Sequence, residues 1–174
     1  EMCIRDRKGI DYLVEACKIL ASQDPGLSKQ LGVVVFGKQA EQYASLFPFP
    51  IYPMNYVSNE KELVDIYNAV DLYVTPSLQD NLPNTIVEAM ACGIPCVGFN
   101  VGGIPQMIDH LHNGYVAEYQ SAKDLANGIR WTLTEGEYDN LSEEACRKAL
   151  SSYSESIISM RYIDIYNKIT GSHA

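Results

Sequence analysis

The sequence PSLQDNLPNTIVEAMACGIP, residues 76–95, decides the fold class of this chain. Residues 71–75, just before it, are rich in apolar and β-branched side chains and predict a strand, which Pro76 ends. Residues 83–92 predict a helix, with Pro83 near its first turn and Gly93 as the residue that ends it. The apolar residues 94–99 predict the next strand. A strand, a polar loop, a helix and a second strand in this order are typical of an α/β domain.

Strands and helices alternate along the rest of the chain as well. Apolar side chains recur at helical spacing from residue 8 to residue 21, which predicts a helix that begins just after Lys8 and Gly9. Residues 32–36 form a continuous apolar run ended by Gly37 and predict a buried parallel strand. The other predicted strands are residues 51–57 and 114–118, and the other predicted helices are residues 39–46, 104–110, 121–134, 140–151, 154–170 and one capped by Ser58 or Asn59. This alternation predicts a Rossmann-like parallel sheet with helices on both faces.

The pattern continues without a break from one end of the sequence to the other. It contains no internal repeat, low-complexity tract or linker, which predicts a single domain over residues 1–174. The aromatic side chains Trp131, Tyr162 and Tyr166 lie in predicted helices, and we expect them to pack the core or a domain interface.

The charge of the chain argues against one class of partner. A formal net charge of -9 and a pI of about 4.7 are unfavourable for nucleic-acid binding, which depends on Lys and Arg side chains that neutralise phosphates. Backbone N–H groups at a helix N-terminus, with one or two cations, can still hold a diphosphate on an acidic protein. The composition therefore predicts no nucleic-acid partner and allows a local nucleotide site.

Cysteine and histidine usage predicts neither disulfides nor a metal site. The five cysteines are odd in number and scattered, which is typical of reduced thiols. His110, His112 and His173 lack metal-ligand spacing. The apolar runs are too short to span a bilayer, and no signal peptide is visible. We expect a cytoplasmic protein and leave open a peripheral association with the inner face of the membrane through another segment.

The loop between the strand at 71–75 and the following helix is the expected ligand site. In open α/β sheets, ligands bind outside the carboxyl ends of the strands. Residues 81–85 would present backbone N–H groups at the positive end of the helix dipole, a favourable place for a diphosphate. Asp80 before the helix and Glu88 inside it could flank the ligand and accept hydrogen bonds from sugar hydroxyls. The alternative is that Asp80 only caps the loop and Glu88 is a solvated helix residue.

The spacing Asp80-x7-Glu88 resembles the E-x7-E motif of glycosyltransferase family 4, whose GT-B fold pairs two Rossmann-like domains around a cleft. Four further segments match the same family: RKG at 7–9, AMACGIPCV at 89–97, VGGIP at 101–105 and NG at 113–114. Five landmarks in the right order are far more specific than a lone glycine pattern. The resemblance covers essentially the whole chain and implies the carboxy-terminal, donor-binding domain, without the amino-terminal acceptor-binding domain.

The resemblance also implies roles for individual residues. Glu88 would bind the ribose hydroxyls of a nucleoside-diphosphate sugar, and Asp80, one methylene shorter than the family glutamate, would contact the donor sugar. Lys8 matches the lysine that pairs with the diphosphate, whereas the family's companion arginine has no match here. These three residues are the predicted catalytic set. The predicted donor-binding residues are Gly37, Tyr56, Val57, Asn81, Leu82, Pro83, Asn84, Thr85 and Ile86.

The function implied is that of a retaining, hexosyl-type glycosyltransferase that needs no cofactor and no metal. Cell-surface polysaccharide synthesis is the typical use of such enzymes, and the isolated domain is expected to be inactive without its acceptor-binding partner. Two alternatives remain open. One is a non-catalytic module that binds a nucleotide sugar, and the other is a GT-B-fold nucleotide-sugar epimerase. Likewise, Gly37 could be only a turn and Tyr56 could belong to the core.

Overall fold

Alternating helices and strands follow the predicted order in the computed structural model, which describes residues 7–36, 40–43, 45–54, 57 and 59–171. The helices are α1 Ile10–Gln23, α2 Pro25–Ser28, α3 Glu60–Asn68, α4 Asn84–Ala91, α5 Ile104–Met107, α6 Ala122–Thr134, α7 Tyr138–Tyr153 and α8 Glu155–Thr170, with a 3₁₀ turn at Ala40–Tyr43. The strands are β1 Val33–Phe36, β2 Ile51–Met54, β3 Tyr73–Thr75, β4 Cys96–Phe99 and β5 Gly114–Ala117.

Every strand pairing among these elements is parallel. β1 pairs with β2, and β3, β4 and β5 form a second ladder in that order. In that ladder Val97 of β4 lies between Val74 and Tyr115. The predicted parallel α/β fold is confirmed, although hydrogen bonding divides the described strands into two groups instead of one sheet.

Helices cover both faces of β4, because its side chains alternate between two cores. Val97 and Phe99 pack with buried residues of α1 and α6. Cys96 lies in a second core with buried residues of α3, α4, α5 and α7. The central strand therefore fixes the positions of the loops at its carboxyl end, which is where a ligand site is expected.

The described cysteines Cys17, Cys92, Cys96 and Cys146 are all free thiols. Burial raises the pKa of Cys17 to about 12 and also raises the pKa of Cys96. Both thiols are therefore protonated at neutral pH, as small apolar core residues are.

Several boundaries differ from the sequence expectation. The described part of β2 is Ile51–Met54 and residue 57 is not in a strand, while residues 55 and 56 lie outside the described residues. β2 tolerates Pro53 because it pairs only with β1 among the described strands. α5 ends at Met107 instead of residue 110, since Ile108 is already in an extended conformation.

The last helix differs most from expectation in its surroundings. No residue of α8 is buried, and the exposed fractions of Tyr162 and Tyr166 are 58% and 62%. Of the two expectations for these tyrosines, packing in a core of the described residues is wrong and packing at a domain interface stays a prediction, while Trp131 packs against Tyr115 at a ring-centroid distance of 6.1 Å. The apolar residues of α8 lie on its surface because the two cores do not extend to it.

Candidate functional site

The loop from Pro76 to Pro83 brings together residues that are far apart in sequence. It follows the carboxyl end of β3 and leads into α4. Lys8 Nζ, 72 positions earlier in the chain, lies 3.0 Å from Asp80 Oδ2. The Lys8 side chain is 48% exposed and that of Asp80 is 17% exposed, so solvent screens the ion pair and its contribution to stability is small. The pair instead places a cation and a carboxylate side by side next to a helix N-terminus.

Residues 7–9 support one side of this loop. The N–H of Leu78 donates to the carbonyl of Arg7 at 2.8 Å. Gly9, with φ at 62°, lies so close to Pro76 that a Cβ there would overlap its carbonyl oxygen. Only glycine fits both this backbone conformation and this contact. The Arg7-Lys8-Gly9 segment is thereby held against the loop, which explains why Lys8 reaches Asp80.

A glycine pair supports the other side of the loop. A Cβ on Gly102 would overlap the carbonyl oxygen of Asp80, and a Cβ on Gly103 would overlap that of Asn81. From the sequence this pair is known only as part of the VGGIP segment at 101–105, and its direct contact with the Asp80 segment was missed. A Gly-Gly pair just after a strand was the available signal, because close approach of two backbones requires residues without side chains.

The start of α4 exposes backbone donors beside the ion pair. Its N-cap residue is Pro83, whose side chain makes no capping hydrogen bond. Helix geometry leaves the N–H groups of the first residues, Asn84 and Thr85, without an intrahelical acceptor. Together with the helix dipole they form a positive end that suits an anion.

The other predicted loop residues divide into surface and buried positions. Asn81, Leu82 and Asn84 are exposed, whereas Pro83 and Ile86 are buried. The N–H of Ile86 donates to the carbonyl of Pro83 at 3.0 Å. Ile86 therefore supports the site through packing beneath it, and its side chain does not face a ligand surface.

Glu88 is held by a tyrosine that was not among the predicted site residues. The hydroxyl of Tyr67 in α3 donates to Glu88 Oε2 at 3.0 Å, and the side chain of Tyr67 is 2% exposed. Burial, then Tyr73 and Glu88, raises the pKa of Tyr67, so its hydroxyl stays protonated at neutral pH and acts as a donor. A buried tyrosine hydroxyl usually finds a partner, which was the only sequence signal for this contact.

A model of the glycosyl transferases group 1 family matches residues 2–135. The chain belongs to this family. A curated relative, the D-inositol 3-phosphate glycosyltransferase of Saccharomonospora viridis, is 27% identical over 95% of this chain and 41% of its own length. Relatives from Haemophilus influenzae and Campylobacter jejuni are covered over 35% and 31% of their lengths. The chain thus spans about a third to two fifths of the curated relatives it matches.

Solved glycosyltransferases share this fold. A glycosyltransferase from Rickettsia africae superposes with a TM-score of 0.77 at 21% identity, covering 96% of this chain and 46% of that one. HepE from Anabaena, solved with UDP-glucose, gives a TM-score of 0.74 at 20% identity, covering 93% and 46%. The GT-B-type α/β fold expected from the resemblance is therefore confirmed.

Three predicted donor contacts of this group 1 glycosyltransferase domain lie outside α4 and its preceding loop. Gly37 and Tyr56 fall outside the described residues. Val57 is described and half-buried, in the segment between β2 and α3. Its role in binding a nucleobase stays a prediction.

Other surface features of the domain lie elsewhere. The start of α7 borders a depression lined by Glu137, Tyr138, Asp139, Asn140 and Glu143. Burial and then Asp71, which precedes β3, raise the pKa of Tyr138. The depression is therefore near the amino ends of the strands, opposite the loop that carries Asp80.

Within the described ranges, no group of three or more His, Cys, Asp or Glu side chains could hold a metal ion, and no helix there is long and apolar enough to cross a membrane.

Proposed function

We propose that this domain binds the donor of a retaining family 4 glycosyltransferase. The donor would be a nucleoside-diphosphate sugar, and the reaction would transfer a hexosyl-type group to an acceptor with retention of configuration. The observation that carries the proposal is the contact of Lys8 Nζ with Asp80 Oδ2 at 3.0 Å, in the loop that leads into α4 and Glu88.

The positive groups are suited to a diphosphate. The N–H groups of Asn84 and Thr85 lie at the positive end of α4. The Lys8 side chain is half-exposed, and its ammonium would turn from Asp80 to a phosphate oxygen. As the bond between the sugar and the diphosphate breaks, negative charge grows on the leaving oxygen, and these fixed donors would stabilise it. This local arrangement can operate in a chain whose net charge is -9.

The two carboxylates are suited to the two sugars of such a donor. Glu88, held by Tyr67, would accept hydrogen bonds from the ribose hydroxyls. Asp80 would accept from a hydroxyl of the transferred sugar once Lys8 turns to the diphosphate. We propose Gly37, Tyr56 and Val57 as the nucleobase side of the site and residues 81–85 as the diphosphate side.

The whole enzyme would require more than this domain. We propose that an acceptor-binding domain completes the cleft, that the domain alone transfers no sugar, and that catalysis needs neither a metal nor a cofactor. The reaction would take place in the cytoplasm or at the inner face of the membrane. Cell-surface polysaccharide synthesis is the proposed use, in keeping with a relative named as an amylovoran biosynthesis glycosyltransferase.

Calorimetric titration with UDP, GDP and ADP, and then with their glucose and N-acetylglucosamine forms, tests the donor site. Wild-type protein should bind one of the bases, and Glu88→Ala should lose most of that affinity. Glu15→Ala, which removes an exposed carboxylate from α1, should bind as wild type does. No binding by a wild-type sample with a cooperative unfolding transition would contradict the proposal.

Turnover separates an enzyme from a non-catalytic module. A transferase completed by its acceptor-binding domain should convert the bound donor into nucleoside diphosphate and glycosylated acceptor. Release of the donor unchanged, with every acceptor class tried, would favour a binding module. Release of a donor altered at one sugar carbon would favour an epimerase.

A further inference from the structure

The hydroxyl of Tyr67 lies directly against the carboxylate that is proposed to bind ribose. Its oxygen is 3.0 Å from Glu88 Oε2 and 3.4 Å from the carbonyl oxygen of Thr85. A phenol has a single proton to donate, and the shorter contact to the charged acceptor is the stronger one. The proton of Tyr67 is therefore committed to Glu88.

We infer that Tyr67 is a positioning residue of the donor site, which holds Glu88 in the orientation that binds the ribose diol. The inference deepens the proposed function and depends on it. Tyr67 itself need not touch the ligand, because its side chain is only 2% exposed.

The ring of Tyr67 is fixed in turn by two neighbouring rings. Phe36, at the carboxyl end of β1, and Tyr73 of β3 each lie 6.1 Å from it, in edge-to-face arrangements of 81° and 70°. Such contacts restrict the movement of a buried ring. The Tyr67 hydroxyl consequently donates to Glu88 from a well-defined direction. This hydrogen bond in turn limits the movement of the Glu88 carboxylate.

Fixing the Glu88 carboxylate before the ligand arrives should lower the entropy cost of binding. Glu88 is half-buried on α4, and its side chain has three rotatable bonds whose freedom would otherwise be lost when the ligand binds. The hydrogen bond from Tyr67 restricts them beforehand and occupies one acceptor position on Oε2. A carboxylate has further acceptor positions on Oε1 and Oε2, which could take two adjacent hydroxyls, the arrangement that a ribose presents.

A purely structural role makes a different prediction. If Glu88 merely satisfies the buried hydroxyl of Tyr67, removal of that hydroxyl should weaken all ligands of the domain equally, through a general loss of stability. A positioning role instead weakens only ligands that have the ribose hydroxyls. Comparison of ribose and 2′,3′-dideoxyribose forms of the same nucleoside diphosphate therefore distinguishes the two.

The test uses Tyr67→Phe, which retains the ring, with Tyr115→Phe as the matched control. Tyr115 also donates its hydroxyl to a carboxylate, Asp124 Oδ1, at 3.0 Å, but in the α6 region. We expect Tyr67→Phe to weaken binding of the ribose ligand, chosen from UDP, GDP and ADP, roughly fivefold to tenfold, as expected for loss of a charge-assisted hydrogen bond. Affinity for the dideoxy ligand should change less than about twofold, and Tyr115→Phe should leave both affinities unchanged.

A second comparison tests whether the effect of Tyr67→Phe on affinity depends on Glu88. In a Glu88→Ala background there is no carboxylate to position, so adding Tyr67→Phe should change the residual affinity less than about twofold. Equal loss for ribose and dideoxy ligands, an equal loss in the Glu88→Ala background, or wild-type affinity in Tyr67→Phe would each overturn the inference. The proposed function would stand in each of these cases, because wild-type protein would still bind the ribose ligand. Absence of wild-type binding overturns both.

Discussion

Lys8 and Asp80 form an ion pair across 72 positions of sequence, with 3.0 Å between Nζ and Oδ2. The pair neutralises both charges in the loop that a diphosphate and a sugar would occupy under the proposed function. A donor that binds there must therefore compete with Asp80 for Lys8. This competition makes the two residues separable by experiment, because their removal should affect different parts of the donor.

Replacement of Lys8 should weaken diphosphate binding without destabilising the fold. The ion pair is partly exposed, so Lys8→Met should lower the free energy of unfolding by less than about 1 kcal/mol. Nucleoside-diphosphate affinity should fall roughly tenfold, since a charge-assisted contact to phosphate is lost. Calorimetry and urea unfolding measure the two quantities, with Lys18→Met on the exposed side of α1 as the control. Equal affinity of Lys8→Met and wild type at low salt would show that Lys8 does not contact the diphosphate.

Gly102 should tolerate no side chain, because Asp80 lies against it. Gly102→Ala forces a residue with a Cβ to adopt φ near 55° and creates an overlap with the carbonyl oxygen of Asp80. We expect a loss of at least about 2 kcal/mol in the free energy of unfolding, or a displaced loop with weaker donor binding.

Gly93→Ala is the matched control for the cost of placing a residue with a Cβ at a positive φ. Its φ is 74°, but the nearest atom to an added Cβ is the Ser142 hydroxyl, a side chain that can rotate away. This variant should cost only about 1 kcal/mol in the free energy of unfolding and should leave donor affinity intact. Similar effects of Gly93→Ala and Gly102→Ala on both quantities would show that the overlap with Asp80 contributes nothing.

Tyr67, which is buried, and Tyr73, which is half-buried, should make the fold sensitive to alkaline pH. Burial first, with contributions from neighbouring groups, raises the pKa of Tyr67 and of Tyr73 above the ordinary value. An unfolded tyrosine titrates near pH 10, so above that pH the unfolded state releases protons that the folded state retains. The stabilisation is complete below about pH 10 and is lost as the pH rises towards the folded pKa values, by up to about 1.4 kcal/mol per pH unit for each tyrosine.

Urea unfolding at pH 8, 10 and 11 measures this dependence. Tyr67→Phe should lose less stability than wild type between pH 10 and 11, since it carries one such tyrosine fewer. Tyr166→Phe, at a tyrosine that is 62% exposed and lies outside this aromatic cluster, serves as the reference. The same slope in wild type and Tyr67→Phe would mean that Tyr67 ionises in the folded state as it does in the unfolded one.

The sequence predicted the parts of the site that are encoded locally. The strand, loop and helix around residues 76–95 follow from a proline, a polar loop and an apolar helix face, and these place Asp80 and Glu88. Contacts between distant segments carry no such periodic signal. The Tyr67 hydroxyl on Glu88 and the close approach of Gly102 to Asp80 depend on how α3 and the turn after β4 pack onto α4 and its preceding loop.

For a related reason, the sequence leaves two environments open for α8, a core and a domain interface. Apolar residues at helical spacing indicate that a helix has a face to bury, but the spacing does not identify what covers it. Tyr162 and Tyr166 are exposed because neither core of the described residues extends to them.

Asp80 should determine how the domain distinguishes a nucleotide sugar from the bare diphosphate. Asp80→Asn removes the negative charge beside the phosphate position and releases Lys8 from its ion pair. Binding of the nucleoside diphosphate should therefore be equal to or tighter than that of wild type, by up to roughly fivefold. The affinity of the sugar form relative to the bare diphosphate should fall several-fold, because a charged acceptor for a sugar hydroxyl is lost.

Asp80→Glu supplies the control, because it restores the longer side chain of the resembled motif and keeps the charge. Its carboxylate can still reach Lys8, and the preference for the sugar form should be retained. Calorimetry with matched pairs of diphosphate and nucleotide sugar gives the ratio of affinities for each variant. An unchanged ratio in Asp80→Asn would show that Asp80 only holds Lys8, and the contact to the donor sugar would then have to come from another residue of the loop.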